Sequence, residues 1–299
     1  MRHIHRPSLI TSWLLATRPK TLTASLIPFL AGTTLAHSTG VPVNWLFLLT
    51  ALGSAFFIQF SVNLLNDAFD NKKGADTAER IGPQRALHAG VATVEQVYAA
   101  GMASLFFALV TAMPIILHGG LLLLLIILVS MLCAYIYTGG PYPLAYLGLG
   151  DIFVVIFYGW VGTLSAYWLQ AGNITPLSFL LGTQIGLLAT GLIAVNNLRD
   201  IDGDAKVGKN TLPVRFGKAF GRFEIALVTF LPFLLNFIWL FNGYEFASTL
   251  PWLIFPLALA MVVKVYHTPP SSAYNGFLAQ SALIHFGFGI LLMIGFLLD

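Results

Sequence analysis

Asn63, Asn66, Asp67 and Asp70 recur at i, i+3, i+4 and i+7, so a helix running through them would carry all four on one face. Asn197, Asp200 and Asp204 form a second such face further along the chain. Seven of the 12 acids (Asp67, Asp70, Asp76, Glu79, Asp200, Asp202 and Asp204) fall in these two patches. Like charges one turn apart repel, and carboxylates near a helix C-terminus oppose its dipole by about 0.3–1 kcal/mol each. A structural role does not explain such clusters; a cation does. Oxygen donors without His or Cys select a hard ion, and Mg²⁺ typically takes one or two carboxylates plus the oxygens of a substrate phosphate.

Basic residues interleave with the acids. Lys72, Lys73, Arg80 and Arg85 follow the first cluster, and Arg199, Lys206 and Lys209 surround the second. Anchoring to anionic lipid accounts for Arg2, Arg6 and Arg222. Arg80, Arg85 and Lys209 instead lie a few residues beyond carboxylates, where a phosphate is gripped between metal and cation. Two carboxylate patches, Mg²⁺ and cations together describe a site that ionises a diphosphate ester, leaving an electrophilic carbon. Phe56, Phe57, Phe60 and Phe69, around the first patch, offer π faces to a developing cation, although most aromatics here serve packing or lipid contact.

The elements that must position these groups are set by hydropathy. Of 299 residues, 57% are hydrophobic and 9% charged, against about 25% charged in a soluble domain; lipid is therefore the main solvent. A span needs about 20 apolar residues, which predicts nine helices at about 20–37, 44–67, 93–117, 119–138, 149–170, 175–198, 219–241, 248–266 and 275–298. Thr93 and Gln96 have capping-box spacing at the start of the third. Alternating nine spans from a cytoplasmic N-terminus puts all 15 Lys and Arg on the cytoplasmic side, as the positive-inside rule demands. The fold expected is all-α: one polytopic domain over 1–299, nine transmembrane helices bundled around a central cavity that opens to the cytoplasm, with the C-terminus outside. Asn63 and Asn197 then lie partly within spans, where an unpartnered amide is costly. Charges there cost about 2.5–3.5 kcal/mol each, which argues against simple solvated loop charges.

Arg18, Pro19 and Lys20 interrupt the first apolar stretch, which excludes a cleaved signal, and no Arg/Ser-rich transit segment precedes it. A bacterial inner membrane is the expected address. Cys133, the one cysteine, reads as an apolar filler. His285 reads as an interior histidine with its hydrogen bonds satisfied. The two hydrophilic loops, about 68–92 and 199–218, follow spans four apart, which hints at a same-orientation duplication. An ion-coupled transporter would instead carry inverted repeats and a site near the midplane.

Asn66-Asp67-Ala68-Phe69-Asp70 and Asp200-Ile201-Asp202-Gly203-Asp204 resemble the NDxxD and DxxxD motifs of the UbiA superfamily of intramembrane prenyltransferases. Further similarity lies in Arg18-Pro19-Lys20-Thr21, Lys73-Gly74-Ala75-Asp76, Arg80-Ile81-Gly82-Pro83-Gln84-Arg85, Tyr137-Thr138-Gly139-Gly140-Pro141, Gly148-Leu149-Gly150-Asp151, Asn196-Asn197-Leu198-Arg199-Asp200-Ile201 and Gly208-Lys209-Asn210-Thr211-Leu212. These resemble the menaquinone branch, which prenylates 1,4-dihydroxy-2-naphthoate. One departure is Gly74, where the superfamily carries a further Asp; Asp76 stands two positions on. The resemblance implies polyprenyl diphosphate as donor, the naphthoate as acceptor, Mg²⁺ as cofactor, and neither nucleic acid nor an obligate protein partner. It implies Mg²⁺ ligands among Asn66, Asp70, Asp76, Asp200 and Asp204, with Asp67 beside them in the catalytic set. Asn63, Lys73, Arg80, Arg85, Asn197, Arg199 and Lys209 would meet the diphosphate end. Arg18, Lys20, Tyr137 and Asp151 would meet the acceptor. Hydroxybenzoate, homogentisate or haem acceptors and a phytyl donor are the alternatives within the superfamily.

Overall fold

The structure, a computed structural model, describes residues 19–74 and 92–299, without the side chains of 19–21. Arg2, Arg6, Arg18, Asp76, Glu79, Arg80, Arg85 and the side chain of Lys20 therefore lie outside the described residues. Among the described residues every regular element is helical. We label them α1 (Pro19–Ser38), α2 (Trp45–Lys72), α3 (Val94–Ile136), α4 (Gly150–Ala171), α5 (Pro176–Arg199), α6 (Ile201–Lys206), α7 (Leu212–Phe241), α8 (Glu245–His267) and α9 (Tyr274–Leu298). Seven of these, α2 to α5 and α7 to α9, are long and apolar enough to cross a membrane. The protein is an integral membrane protein.

Local signals account for the helix starts. The Thr93 hydroxyl accepts from Gln96 N, and the Gln96 side chain accepts from Thr93 N, which is the capping box the spacing predicts. Thr175 caps α5 in the same way, with Pro176 pre-set at the first helical position.

α3 is one element by backbone continuity but doubles back. Gly120 has φ 61 and ψ −144, outside the helical region. Phe69 packs against both Tyr98 and Tyr135, at ring centroids 5.8 and 5.4 Å. A straight helix would hold two residues so far apart in sequence at a separation of about 55 Å. The two halves are thus antiparallel, and α2 lies along both. The predicted boundary at His118-Gly119-Gly120 falls at this reversal.

α5 is the most enclosed of the long helices and α3 the most exposed to lipid. The middle of α4 is wound as a π-helix over Val155–Val161, and Gly159 meets Gly182 and Gly186 of α5 there. A Cβ on Gly159 would lie 2.5 Å from Gly182 O, so only paired glycines allow this approach. Gln184 then ties α5 to α7, donating to Asn236 Oδ1 (2.7 Å) and accepting from Trp239 Nε1 (2.8 Å).

Two boundaries differ from expectation for physical reasons. α2 runs on to Lys72 rather than ending at 67, so the acidic face is helical throughout. α7 starts at Leu212 but breaks at Gly217 (φ 87), which separates a short first turn from the span predicted from 219. Grooves of about 700 and 570 Å³ lie at the end of the bundle away from the acidic clusters, around Asn44, Trp168 and Gly172, and around Pro176 and Asn242.

Candidate active site

The first cluster lies on the last turns of α2. Asn63 and Asp67 are buried, while Asn66 and Asp70 are half-buried at the helix end. The Thr138 hydroxyl donates to Asn66 Oδ1 at 2.7 Å. Lys73, capping α2, donates to Thr138 O at 2.8 Å and lies 4.3 Å from the Tyr146 ring centroid. Burial lowers the Lys73 pKa, and the Asp70 charge partly offsets this.

Asn63 is held from deeper in the bundle. Tyr158, on the π-helical stretch of α4, donates to Gln59 Oε1 at 2.5 Å, and Gln59 Nε2 donates to Asn63 Oδ1 at 3.2 Å. π-helical turns are frequent at functional sites because the extra residue re-aims a side chain. Gln59 and Tyr158 are absent from the sequence reading, since nothing in spacing or type links residues on different helices.

The second cluster straddles a hinge. α5 ends at Asp200 (φ −95, ψ 8), and α6 follows directly. Asp204 N donates to Asp200 O at 2.8 Å, so the two acids stay one turn apart. Buried Arg199 donates from Nε and Nη2 to the two Asp200 carboxylate oxygens (2.8 and 2.6 Å) and from Nη1 to Asn275 Oδ1 (2.8 Å). Nη2 also reaches Asn196 Oδ1 at 2.5 Å. Expected to meet the diphosphate, this guanidinium here lies against the Asp200 carboxylate. Lys209 Nζ is 3.4 Å from Asp204 Oδ1. Asp204 is buried, and burial pushes its pKa up to about 6 against the opposing pull of Lys209; Asp200 and Asp70 add to the rise. Asp202 faces outward, 3.5 Å from Lys218, and Asn197 is buried on α5.

Residues 137–149, between α3 and α4, join the clusters. Tyr146 donates from its hydroxyl to Asp70 Oδ1 (3.4 Å), and its carbonyl accepts from Asn210 N (3.0 Å), just beyond Lys209. Arg215 reaches Leu147 O at 2.7 Å. At Gly148 (φ +69) a Cβ would lie 2.4 Å from Asn210 O, so glycine is required for this approach. Tyr137 feels the charges of Asp151, Asp70 and Asp204 together; burial foremost, then those carboxylates, holds its hydroxyl well above the ordinary tyrosine range. The ends of α2 and α5 therefore converge on one side of the bundle.

Asp151, at the start of α4, is buried. Its carboxyl meets that of Glu224, buried on α7. Glu224 is missing from the sequence reading, yet a signal existed: a lone acid inside an otherwise apolar span. His285 is fully buried as expected, but neither ring nitrogen finds a partner among the described residues; we have no physical account of it.

The residues fit Mg²⁺. Among the described residues no three His, Cys, Asp or Glu side chains gather into a ready-made metal cage. Mg²⁺ does not need one, since one or two carboxylates plus phosphate oxygens and water suffice. Asp204 Oδ2, buried and without a hydrogen-bond partner among the described residues, is an oxygen suited to such a role.

Residues 25–297 match the model of the UbiA prenyltransferase family. The chain is 36% identical over 267 residues to the 1,4-dihydroxy-2-naphthoate octaprenyltransferase of Escherichia coli K12, covering 85% of this chain and 83% of that one. It is 34% identical over 297 residues to the enzyme of the same name from Bacillus subtilis, covering 95% and 91%. A solved UbiA homolog from Archaeoglobus fulgidus, bound to DMAPP and Mg²⁺, superimposes with TM-score 0.60 at 17% identity over 94% of this chain and 99% of that one.

Proposed function

From the premise that this chain belongs to the UbiA prenyltransferase family, we propose that it transfers a polyprenyl chain from polyprenyl diphosphate to 1,4-dihydroxy-2-naphthoate. The acceptor loses its carboxylate as CO₂, giving the hydroquinone form of demethylmenaquinone and diphosphate. One observation carries the reading: Asp70 and Asp204 are drawn to one locus across the Tyr146 bridge. The likeness to two naphthoate enzymes names the acceptor.

Asn66, Asp70, Asp200 and Asp204 would hold Mg²⁺, with Asp76 as a further ligand and Asp67 behind them. When bound, the metal draws charge from the diphosphate and so weakens its bond to the allylic carbon. The chain's own residues do the rest. Arg199 fixes the Asp200 carboxylate in one orientation, which a flexible acid at a helix end would not keep unaided. Lys209 offsets the Asp204 charge and, with Lys73, Arg80 and Arg85, takes the diphosphate oxygens as charge builds on them. Asn63 and Asn197 supply amide donors on the two faces. Phe69 and Tyr146 wall the allylic carbon with π faces. Arg18 and Lys20 meet the acceptor carboxylate, and Tyr137 an acceptor hydroxyl.

The same reading gives nine passes: the seven apolar segments, one of them crossing twice, and α1. The cavity between them opens to the cytoplasm of a bacterial inner membrane.

Purified protein in detergent, with Mg²⁺ and labelled polyprenyl diphosphates, should prenylate the naphthoate. Turnover should vanish in Asp70→Ala and Asp200→Ala while both variants remain folded. Product with hydroxybenzoate or homogentisate but none with the naphthoate would reject the acceptor; full activity in either variant would reject the metal site.

A further inference from the structure

Asp151 stands at the second residue of α4, and Glu224 about two turns past the Gly217 break of α7. Their side chains come within hydrogen-bonding reach of each other. Asp151 is 5% exposed and Glu224 7%. Neither oxygen of Asp151, nor Oε2 of Glu224, has a donor among the described residues. Two ionised carboxylates cannot sit so in a dry interior, because each would be buried, unpaired and repelled. A proton held between them turns the repulsion into an O–H···O bond.

The pair adjoins the reaction site. Lys209, ion-paired with Asp204, also acts on Asp151. The Tyr137 hydroxyl would be 3.1 Å from a Cβ on Gly150, next to Asp151 in the chain. Tyr137 in turn senses Asp70 and Asp204 as well as Asp151. Among the described residues, Lys209 and Tyr137 are the ionisable groups that interact with Asp151 directly, and Asp204, Asp70 and Tyr158 stand behind them.

We propose that Asp151 and Glu224 together hold and return the acceptor's hydroxyl proton during prenyl transfer. This rests on the proposed naphthoate reaction. As the ring attacks, the O–H bond breaks and the pair takes the proton. The ring carbon bearing the carboxylate bonds to the allylic carbon, and the C–O electron pair leaves with the diphosphate. The bond to the carboxylate then breaks, releasing CO₂, and its electrons restore the aromatic ring with negative charge on oxygen. The pair gives the proton back to that oxygen. No proton is gained or lost overall, so a buried pair without a path to water is sufficient.

The test uses Glu224→Gln and Asp151→Asn in the full-length protein, each checked for native elution and melting. We expect kcat with the naphthoate to fall about 100-fold, the usual scale of acid–base assistance. The donor KM, the half-saturating Mg²⁺ concentration and slow donor hydrolysis without acceptor should stay within about twofold of wild type, on the same reasoning. Raising the pH towards ionisation of the acceptor hydroxyl should restore part of the lost kcat in the variants only, and Glu224→Asp, which keeps the acid, should retain most of it. A fall in kcat below threefold, or donor KM and Mg²⁺ dependence moving in step with kcat, overturns the proposal. Wild-type protein inactive on the naphthoate would instead overturn the acceptor assignment, a separable result.

Discussion

Arg199 shows how much a residue's contacts add to what its type suggests. A cation beside an acidic motif reads as a phosphate ligand, yet every nitrogen of this guanidinium is engaged by Asp200, Asn196 or Asn275. Its planar fork matches the Asp200 carboxylate, which a lysine ammonium cannot do. Arg199→Lys should lower kcat more than tenfold and raise the half-saturating Mg²⁺ concentration; Arg199→Ala, which leaves the half-buried Asp200 carboxylate without its partner, should cost about 1–3 kcal/mol of stability. Unchanged Mg²⁺ dependence in Arg199→Lys would refute the positioning role. Asp204 gives a second prediction at this scale. Its pKa is raised from 3.8 to about 6 in the fold, so the metal-free protein keeps a proton there that the unfolded chain releases. That contribution to stability is complete below the ordinary value and is lost as pH rises through about 6. Mg²⁺ then takes the proton's place. The rise in Tm on adding Mg²⁺ should be larger at pH 7.5 than at pH 5, and Asp204→Asn should flatten the difference. Equal shifts at both pH values in the wild type would count against Asp204 as a ligand.

At the scale of elements, the loop over 137–149 does what neither cluster does alone. It is docked by Tyr146 on Asp70, by Asn210 on the Tyr146 carbonyl and by Arg215 on Leu147. Gly148→Ala would push a methyl to 2.4 Å from Asn210 O in a left-handed backbone conformation. Activity should fall at least tenfold, with the donor KM raised, because the two clusters would separate. Gly120 is a control of the same kind. Its φ is +61, but a Cβ there meets only open space. Gly120→Ala should therefore cost about 1–3 kcal/mol from backbone strain alone and leave kcat unchanged. Equal loss of activity in both variants would mean that the Gly148 contact has no special part.

Across the whole molecule, charge and hydropathy act together. The cations Lys73, Arg199, Lys209, Arg215 and Lys218 lie at the end where the acidic clusters meet. Asp299 closes the opposite end, accepting from Phe246 N and Ala247 N at 2.8 and 3.0 Å. With the cationic end in the cytoplasm, alkaline phosphatase fused at the C-terminus should be active and a green fluorescent protein fused there dark. The reverse pattern would overturn the topology.

Local chemistry was legible in the chain because it depends on residues close in sequence. The spans, the Thr93 cap, the helical face from Asn63 to Asp70 and the reversal near Gly120 all follow from periodicity, side-chain oxygens and glycine within a few positions. Residues far apart in sequence carry no mutual signal in one chain, so the tertiary structure alone paired Tyr158 with Gln59, Tyr146 with Asp70, and Asp151 with Glu224. The same limit explains Arg199: spacing put it beside Asp200, but the fold brought up Asn275 and turned the guanidinium inward. Packing against lipid and against other helices rewards buried area and shape, which many sequences satisfy. Which polar groups then meet in the interior is decided only when the helices dock.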